Sequence, residues 1–263
     1  MIRGIDHLVI ACEDPDAAVE ELESALGLVS IGGGRHEGAG THNRIAWLAD
    51  GAYLELIGVT DADAARSSPV GASTLRVLEE HGGGLATFAL RADDLEATVA
   101  GLRAAGSSLG PLTHGSRTRD DGDVVEWFTS IPGGPLGPTW PFLIEHLYAG
   151  VEWGHAALAE RARFAHPIGS PVLLARLDIA TAEPATAAAD LHEELGTDFW
   201  AVADLAVADI GPHVVRLVPS REMAVPAVVT LGAQVELPRT VDLLGLRFDV
   251  ERVELPIPAR NPA

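Results

Sequence analysis

The sequence contains no lysine. Its 18 basic residues are all arginine, set against 38 acidic ones, for a formal charge of -20. A field of that sign repels phosphate backbones and anionic headgroups, which argues against nucleic-acid and membrane-surface roles. A single cysteine, Cys12, excludes an intramolecular disulfide and any multi-cysteine metal site. No apolar run approaches the roughly 20 residues a spanning helix needs. The N-terminus also lacks the basic-then-apolar pattern of a signal peptide, so the expected location is cytoplasmic. With 47% hydrophobic residues, 28 Gly and 17 Pro, the composition is that of a globular, turn-rich chain with ample core.

One pattern recurs along it. "GIDHLVIACEDPDAAVEELESALG" (4–27) and "GLATFALRADDLEATVAGLRAAG" (84–106) each run from an alternating strand through an acidic turn into an Ala-rich helix ending at Gly. The acidic turns supply helix N-caps, and Gly27 and Gly106 suit left-handed C-caps. "LARLDIATAEPATAAADLHEELG" (174–196) is a more divergent third copy, with Pro184 placed like Pro15 at the helix start. Short runs at strand spacing follow each helix, so each unit reads β-α-β-β-β. The spacing predicts modules over 1–60, 84–150 and 171–263. Between them lie a linker at 61–83, with a short helix from about Ser73 to His81, and a second linker at 151–170. The fold class expected is α+β: repeated βαβββ modules forming open, cupped mixed sheets with helices on the outer face.

The stretches "GIDHLVIA", "GGGRHEGAGTHNRIAWLADGAYLELIG", "GSRTRDDGDVVEW" and "WPFLIEH" resemble the vicinal oxygen chelate superfamily, and within it the glyoxalase-like domain proteins. The resemblance covers roughly residues 1–170. It implies a cleft between paired modules with metal ligands on their first and last strands: a His on the first, a Glu on the fourth, and His, Gln or Glu at the matching positions of the second module.

Strand alternation can be set beside that expectation. In "IDHLVI" the apolar Leu8 and Ile10 share the face opposite His7. In "YLELI" Leu54 and Leu56 lie opposite Glu55. His7 and Glu55 therefore face the concave side. The same alternation, in register with the first module, directs Thr87 and Glu145 into the cleft and turns His146 toward the helix. A candidate metal set of His7, Glu55 and Glu145 follows, with Thr87 as the departure. Arg176 and Arg216 at the third module's positions exclude it from cation binding. One imidazole and two carboxylates suit Mn, Fe, Ni, Co or Zn. The other reading of these residues is structural: a satisfied core histidine, and a glutamate paired to arginine.

Arg117 and Arg119 are candidate anion donors, although Asp120 and Asp121 offer ion pairs to the same side chains. His36 and Asn43 sit in a Gly-rich loop and the strand it feeds; they are read either as loop stitching or as substrate contacts. The expected chemistry is lyase or isomerase action on a small vicinal-oxygen substrate through an enediolate-type intermediate, with Glu145 or Glu55 as base. The alternative is a metal-free small-molecule binding protein of the drug-sequestering, bleomycin-resistance type. The partner expected is a small molecule, on a monomer or homodimer.

Overall fold

The computed structural model describes residues 1–36 and 38–254. The first module comprises β1 (Ile2–Ala11), α1 (Pro15–Leu26), β2 (Gly32–His36), β3 (Thr41–Trp47) and β4 (Tyr53–Val59). Two helices follow, α2 (Ala62–Ser67) and α3 (Pro69–His81). The second module is β5 (Gly84–Ala92), α4 (Leu95–Ala104), β6 (Thr113–Thr118), β7 (Val124–Ser130) and β8 (Phe142–His146). Short helices α5 (Gly150–Trp153) and α6 (His155–Arg161) lead to β9 (Leu173–Thr181), α7 (Pro184–Leu195), β10 (Trp200–Val202), β11 (Leu205–Ile210) and β12 (His213–Pro219). Last come β13 (Ala227–Ala233), β14 (Arg239–Leu243) and β15 (Leu246–Arg252).

The helices start and stop where local chemistry dictates. Asp14 Oδ1 accepts the amides of Asp16 (2.9 Å) and Ala17 (3.4 Å), Pro15 opens α1, and Gly27 closes it in the left-handed conformation at φ 67°. The 61–83 linker is more helical than expected. Asp61 caps one helix, and Ser68 followed by Pro69 starts a second, so helix begins at residue 62 rather than near 73.

In each module the last strand returns parallel to the first, as β4 does to β1 and β8 to β5, while β1 and β5 join the modules antiparallel. The βαβββ architecture is therefore present as expected. The cup of the first two modules is additionally closed: β2 pairs with β6 through Arg35–Thr118 and His36–Arg117. The result is an eight-stranded barrel of order β1-β4-β3-β2-β6-β7-β8-β5. The second sheet, β10-β11-β12-β9-β13-β15-β14, repeats that order with one strand fewer. Within the 171–263 unit, β9–β12 form a whole module. β13, β14 and β15 then form a reduced one, in which residues 234–238 stand where a helix and a strand would be. The unit's expected end at 263 lies outside the described residues.

The outer faces of both sheets bury one continuous apolar cluster. It runs from Leu8, Ile10, Leu54 and Leu56 through Leu22 and Leu26 of α1 and Leu95 of α4 to Leu191, Leu195, Leu177, Leu217 and Phe248. Each such side chain contributes about 1.5–3 kcal/mol by leaving water. Polar ties cross the same boundary. The Ile5 amide donates to His213 Nδ1 at 2.9 Å, and the Leu174 amide to Asp50 Oδ2 at 2.6 Å. The barrel is thus held from outside by the second sheet, leaving its interior free for a different purpose. Cys12, at the end of β1, is 4% exposed, and burial pushes its thiol up to about 12. The native protein should resist iodoacetamide at pH 8 and react once denatured, read by mass; native alkylation at the denatured rate would contradict this placement.

Candidate active-site cavity

The barrel encloses a cavity of about 310 Å³. Its polar end is built by the first module. His7 on β1 and Glu55 on β4 both line it, as alternation requires, with His7 Nε2 3.5 Å from Glu55 Oε2. Asn43 on β3 donates to Glu55 Oε1 at 2.5 Å, and His36 Nε2 stands 3.6 Å from the same oxygen. His36 is fixed in turn by Thr41 Oγ1 at Nδ1 (2.8 Å) and by Asn43 Nδ2 at Nε2 (3.3 Å). Glu55 is 6% exposed, so its carboxylate is seen by the cavity and by little else. Aromatic walls complete the space: Tyr53 stacks on His7 at 4.6 Å, and Phe142 meets the same ring edge-on at 5.7 Å.

A residue that alternation would point away supports this end. The β1–β5 register slips between Ile5 and His7. At that bulge Asp6, fully buried, reaches the interior beside its neighbour. Its Oδ1 accepts from His7 Nδ1 at 2.8 Å and from His146 Nε2 at 3.0 Å, joining the first module's histidine to one from the second. Burial alone would raise the Asp6 carboxyl. The charge and hydrogen bonds of His146, then of His7, outweigh it and hold the group well below the usual carboxylate range. An anionic Asp6 fixes the His7 tautomer with the proton on Nδ1 and aims Nε2 at Glu55. Burial also lowers His36, against the pull of Glu55, and lowers His146, against Asp6. Burial and the nearby Asp6 and Glu55 charges raise Tyr53, so its phenol stays protonated.

These imidazoles set a pH dependence. His36, His146 and the interdomain His166 all sit below the ordinary value through burial, so near pH 5 the unfolded chain binds protons that the fold resists. Stability is full above pH ~6.5 and declines as pH falls, by about 1.4 kcal/mol per pH unit for each imidazole kept neutral. Urea midpoints should drop between pH 7 and 5; a flat profile would contradict the assignment. Asp6 acts in a separate window, its contribution being lost only below pH ~4.

The remaining expected residues divide. Glu145 is not in the cavity. On β8 it is Phe142, Ile144 and His146 that line the barrel, while Leu143 joins the outer core. Glu145 Oε2 accepts the Leu95 amide at 3.0 Å, at the N-terminus of α4, where a carboxylate is favoured. The inward and outward faces of β8 are therefore the reverse of those expected, and His146 is an interior residue. Thr87 is buried and donates to the Trp140 carbonyl at 3.2 Å, outside the lining. Arg117 lines the cavity, but its guanidinium is held by the Gly33 carbonyl and Glu152 Oε1. Arg119 does not line it; it forks between Glu152 Oε2 and Asp121. His36 and Asn43 are both brought to Glu55.

Strand register shows what became of the expected metal positions. Across the β1–β5 seam Val9 faces Thr87 and His7 faces Ala89, so the pseudo-dyad relates His7 to Thr87. The parallel pairs Val9–Glu55 and Ala89–Phe142 then relate Glu55 to Phe142. Two of four positions keep a ligand type; a hydroxyl and a phenyl ring occupy the others. His36 Nε2, the nearest substitute, is already engaged by Asn43. Among the described residues no group of three or more His, Cys, Asp or Glu side chains is disposed to hold a metal ion. The donor set does not fit the divalent metal that the resemblance implies.

Sequence reasoning missed Asp6, His146, Glu152 and Trp153. Trp153, from α5, is 2% exposed and stacks on His146 at 3.5 Å, closing the cavity with a residue from a stretch read as a connection. Its apolar side chain beside Glu152 in a linker was the available signal.

Residues 5–195 match the family model described as "Glyoxalase-like domain". No curated protein matches the sequence. Among solved structures, a hypothetical protein from Staphylococcus aureus is similar over 96% of this chain and 100% of its own, with TM-score 0.78 at 15% identity. A mutant of 4-hydroxymandelate synthase from Streptomyces coelicolor is similar over 89% of this chain and 72% of its own, with TM-score 0.53 and 15% identity. Methylmalonyl-CoA epimerase from Streptomyces coelicolor aligns over 55% of this chain and 97% of its own, at 23% identity and TM-score 0.41. Among the described residues no helix is long and apolar enough to cross a membrane.

Proposed function

The chain belongs to the glyoxalase-like domain family of the vicinal oxygen chelate superfamily, and from that membership we propose that its barrel cavity performs proton transfer on a small vicinal-oxygen substrate, as a lyase or isomerase with Glu55 as base. The observation that carries this reading is the convergence on one cavity carboxylate of His7, His36 and Asn43 from three strands. A carboxylate in a water-poor space abstracts a proton from carbon beside a carbonyl once an acid neutralises the oxygen that gains charge. Tyr53 supplies that acid: it lines the same cavity and its phenol stays protonated. His7, anchored by Asp6 at Nδ1, presents the lone pair of Nε2 to the same space as Glu55 and accepts from the substrate hydroxyl. The C–H proton passes to Glu55, the C–H pair becomes the C=C bond of an enediol, the carbonyl pair moves to oxygen, and that oxygen takes the Tyr53 proton. Delivery of the Glu55 proton to the former carbonyl carbon completes isomerisation, while the original hydroxyl gives its proton to His7 Nε2, which returns it to Tyr53. Return of the Glu55 proton to the original carbon gives exchange alone.

Incubation with small α-hydroxy ketones in D2O tests this. The wild type should exchange the C–H next to the carbonyl for C–D, followed by proton NMR, and Glu55→Gln should slow exchange about 10²–10⁴-fold. Exchange unaffected by that substitution would overturn the reading. Thr87 and Phe142 at the former ligand positions support a second reading, that of a binding protein. It predicts tight ligand capture indifferent to Glu55→Gln and no exchange.

A further inference from the structure

We infer that the cavity selects a neutral ligand, an aromatic α-hydroxy ketone in chemical class, and that Glu152 is the residue that excludes anions. This rests on the proton-transfer reading for the ketone and on charge alone for the exclusion.

The argument begins with the cations. Arg117 on β6 and Arg119, just past its end, carry the planar fork of donors that grips a carboxylate or phosphate. Arg117 is 2% exposed, with one terminal nitrogen on the Gly33 carbonyl and the other paired to Glu152 Oε1. Arg119 takes the other Glu152 oxygen and Asp121 Oδ2, the latter at 2.9 Å. One carboxylate on α5, with a 4% exposed side chain, thus bridges both guanidinium groups. The third arginine of this corner, Arg161, lies over the Trp47 ring at 3.2 Å, donates to the Glu152 backbone carbonyl, and does not line the cavity. His114, at the lining's exposed side, is paired with Glu126 at 2.9 Å.

What remains facing the ligand is Glu55, with anionic Asp6 behind His7. An entering carboxylate, phosphate or charged thioester conjugate meets that field, and the one guanidinium lining the cavity, Arg117, already has its charge paired with Glu152. A neutral molecule meets no such cost. Its carbonyl and hydroxyl can reach the His7–Glu55 end, and its ring can pack on Tyr53, Trp127 and Phe142. The volume of about 310 Å³ is at the small end for ligand pockets and suits one ring with a short side chain.

Matched probes of one size test the inference by calorimetry or ligand-observed NMR: 2-hydroxyacetophenone and the anion mandelate. The wild type should bind 2-hydroxyacetophenone at least tenfold more tightly than mandelate. Glu152→Gln, which leaves the cavity-lining Arg117 without its paired carboxylate, should shrink the preference over mandelate at least tenfold. Should that variant fail to fold, judged by circular dichroism, Arg117→Gln/Glu152→Gln removes charge and countercharge together and should keep the wild-type preference. Equal or tighter binding of mandelate by the wild type overturns the inference, as does failure of both probes to bind at millimolar concentration. Binding of 2-hydroxyacetophenone without deuterium exchange at its CH2 would remove the proton-transfer reading while leaving the charge selection standing.

Discussion

Asp6→Ala is expected to cost about 3–5 kcal/mol, read as a fall in the urea midpoint. The carboxylate is fully buried and its Oδ1 is shared by His7 Nδ1 and His146 Nε2, so truncation leaves two ring nitrogens of the barrel interior without their acceptor. It also unlinks the two modules at the floor of the cavity, since His7 comes from β1 and His146 from β8. Asp6→Asn keeps an acceptor but loses the charge, and should cost roughly 1–3 kcal/mol. The pair separates charge from shape. In Asp6→Asn the ring ¹⁵N shifts of His7 should move toward a mixed tautomer even where the fold survives. A loss below about 1 kcal/mol for Asp6→Ala would show that the bulge at Asp6 is not what holds these histidines.

Gly34→Val is expected to open the barrel. Gly34 lies in β2 at φ 157°, and a Cβ there would collide with the Thr118 carbonyl oxygen, well inside van der Waals contact, and stand 2.9 Å from its carbonyl carbon. Among the described residues two β2–β6 pairs close the barrel at this point, and they involve backbone with no room to give. Strain and overpacking together should cost about 3 kcal/mol. The distinctive signature is local. Amide exchange should accelerate in 32–36 and 113–118 while β1, β4, β5 and β8 stay protected. Ligand binding should fall with it, since His36 and Arg117 face each other across this seam. Uniform destabilisation with no preferential exchange at the seam would contradict the closure described above.

The modules were readable in the sequence because their signals are local. Caps such as Asp14 and Gly27, and the alternation of Leu8 and Ile10 against His7, operate within a few residues, and long-range packing only reinforces them. Glu55 was readable for the same reason, flanked as it is by Leu54 and Leu56 that the helix-facing core demands. Glu145 shows where that method ends. In "FLIEH" both faces carry large apolar residues, so hydrophobicity does not set the phase. A register borrowed from the first module put the carboxylate inside, whereas pairing with β5 and the α4 amide put it outside. Asp6 was hidden by a bulge, an irregularity that only the partner strand reveals. Glu152 and Trp153 escaped because they act from a connection, and closure of the barrel escaped because β2 and β6 are some eighty residues apart. Candidate anion donors were recognised at Arg117 and Arg119, but the carboxylate that pairs with both was not.

The central claim is that Glu55, His7 and their neighbours carry the chemistry with the side chains of this chain, in a fold whose metal set has been reduced to two positions. Deuterium incorporation at the CH2 of 2-hydroxyacetophenone by chelator-treated protein tests it directly. The account predicts exchange in the wild type that is lost in Glu55→Gln and does not rise when Mn, Fe, Ni, Co or Zn is restored. Exchange that appears only after a divalent metal is added back, or that survives Glu55→Gln, would contradict it.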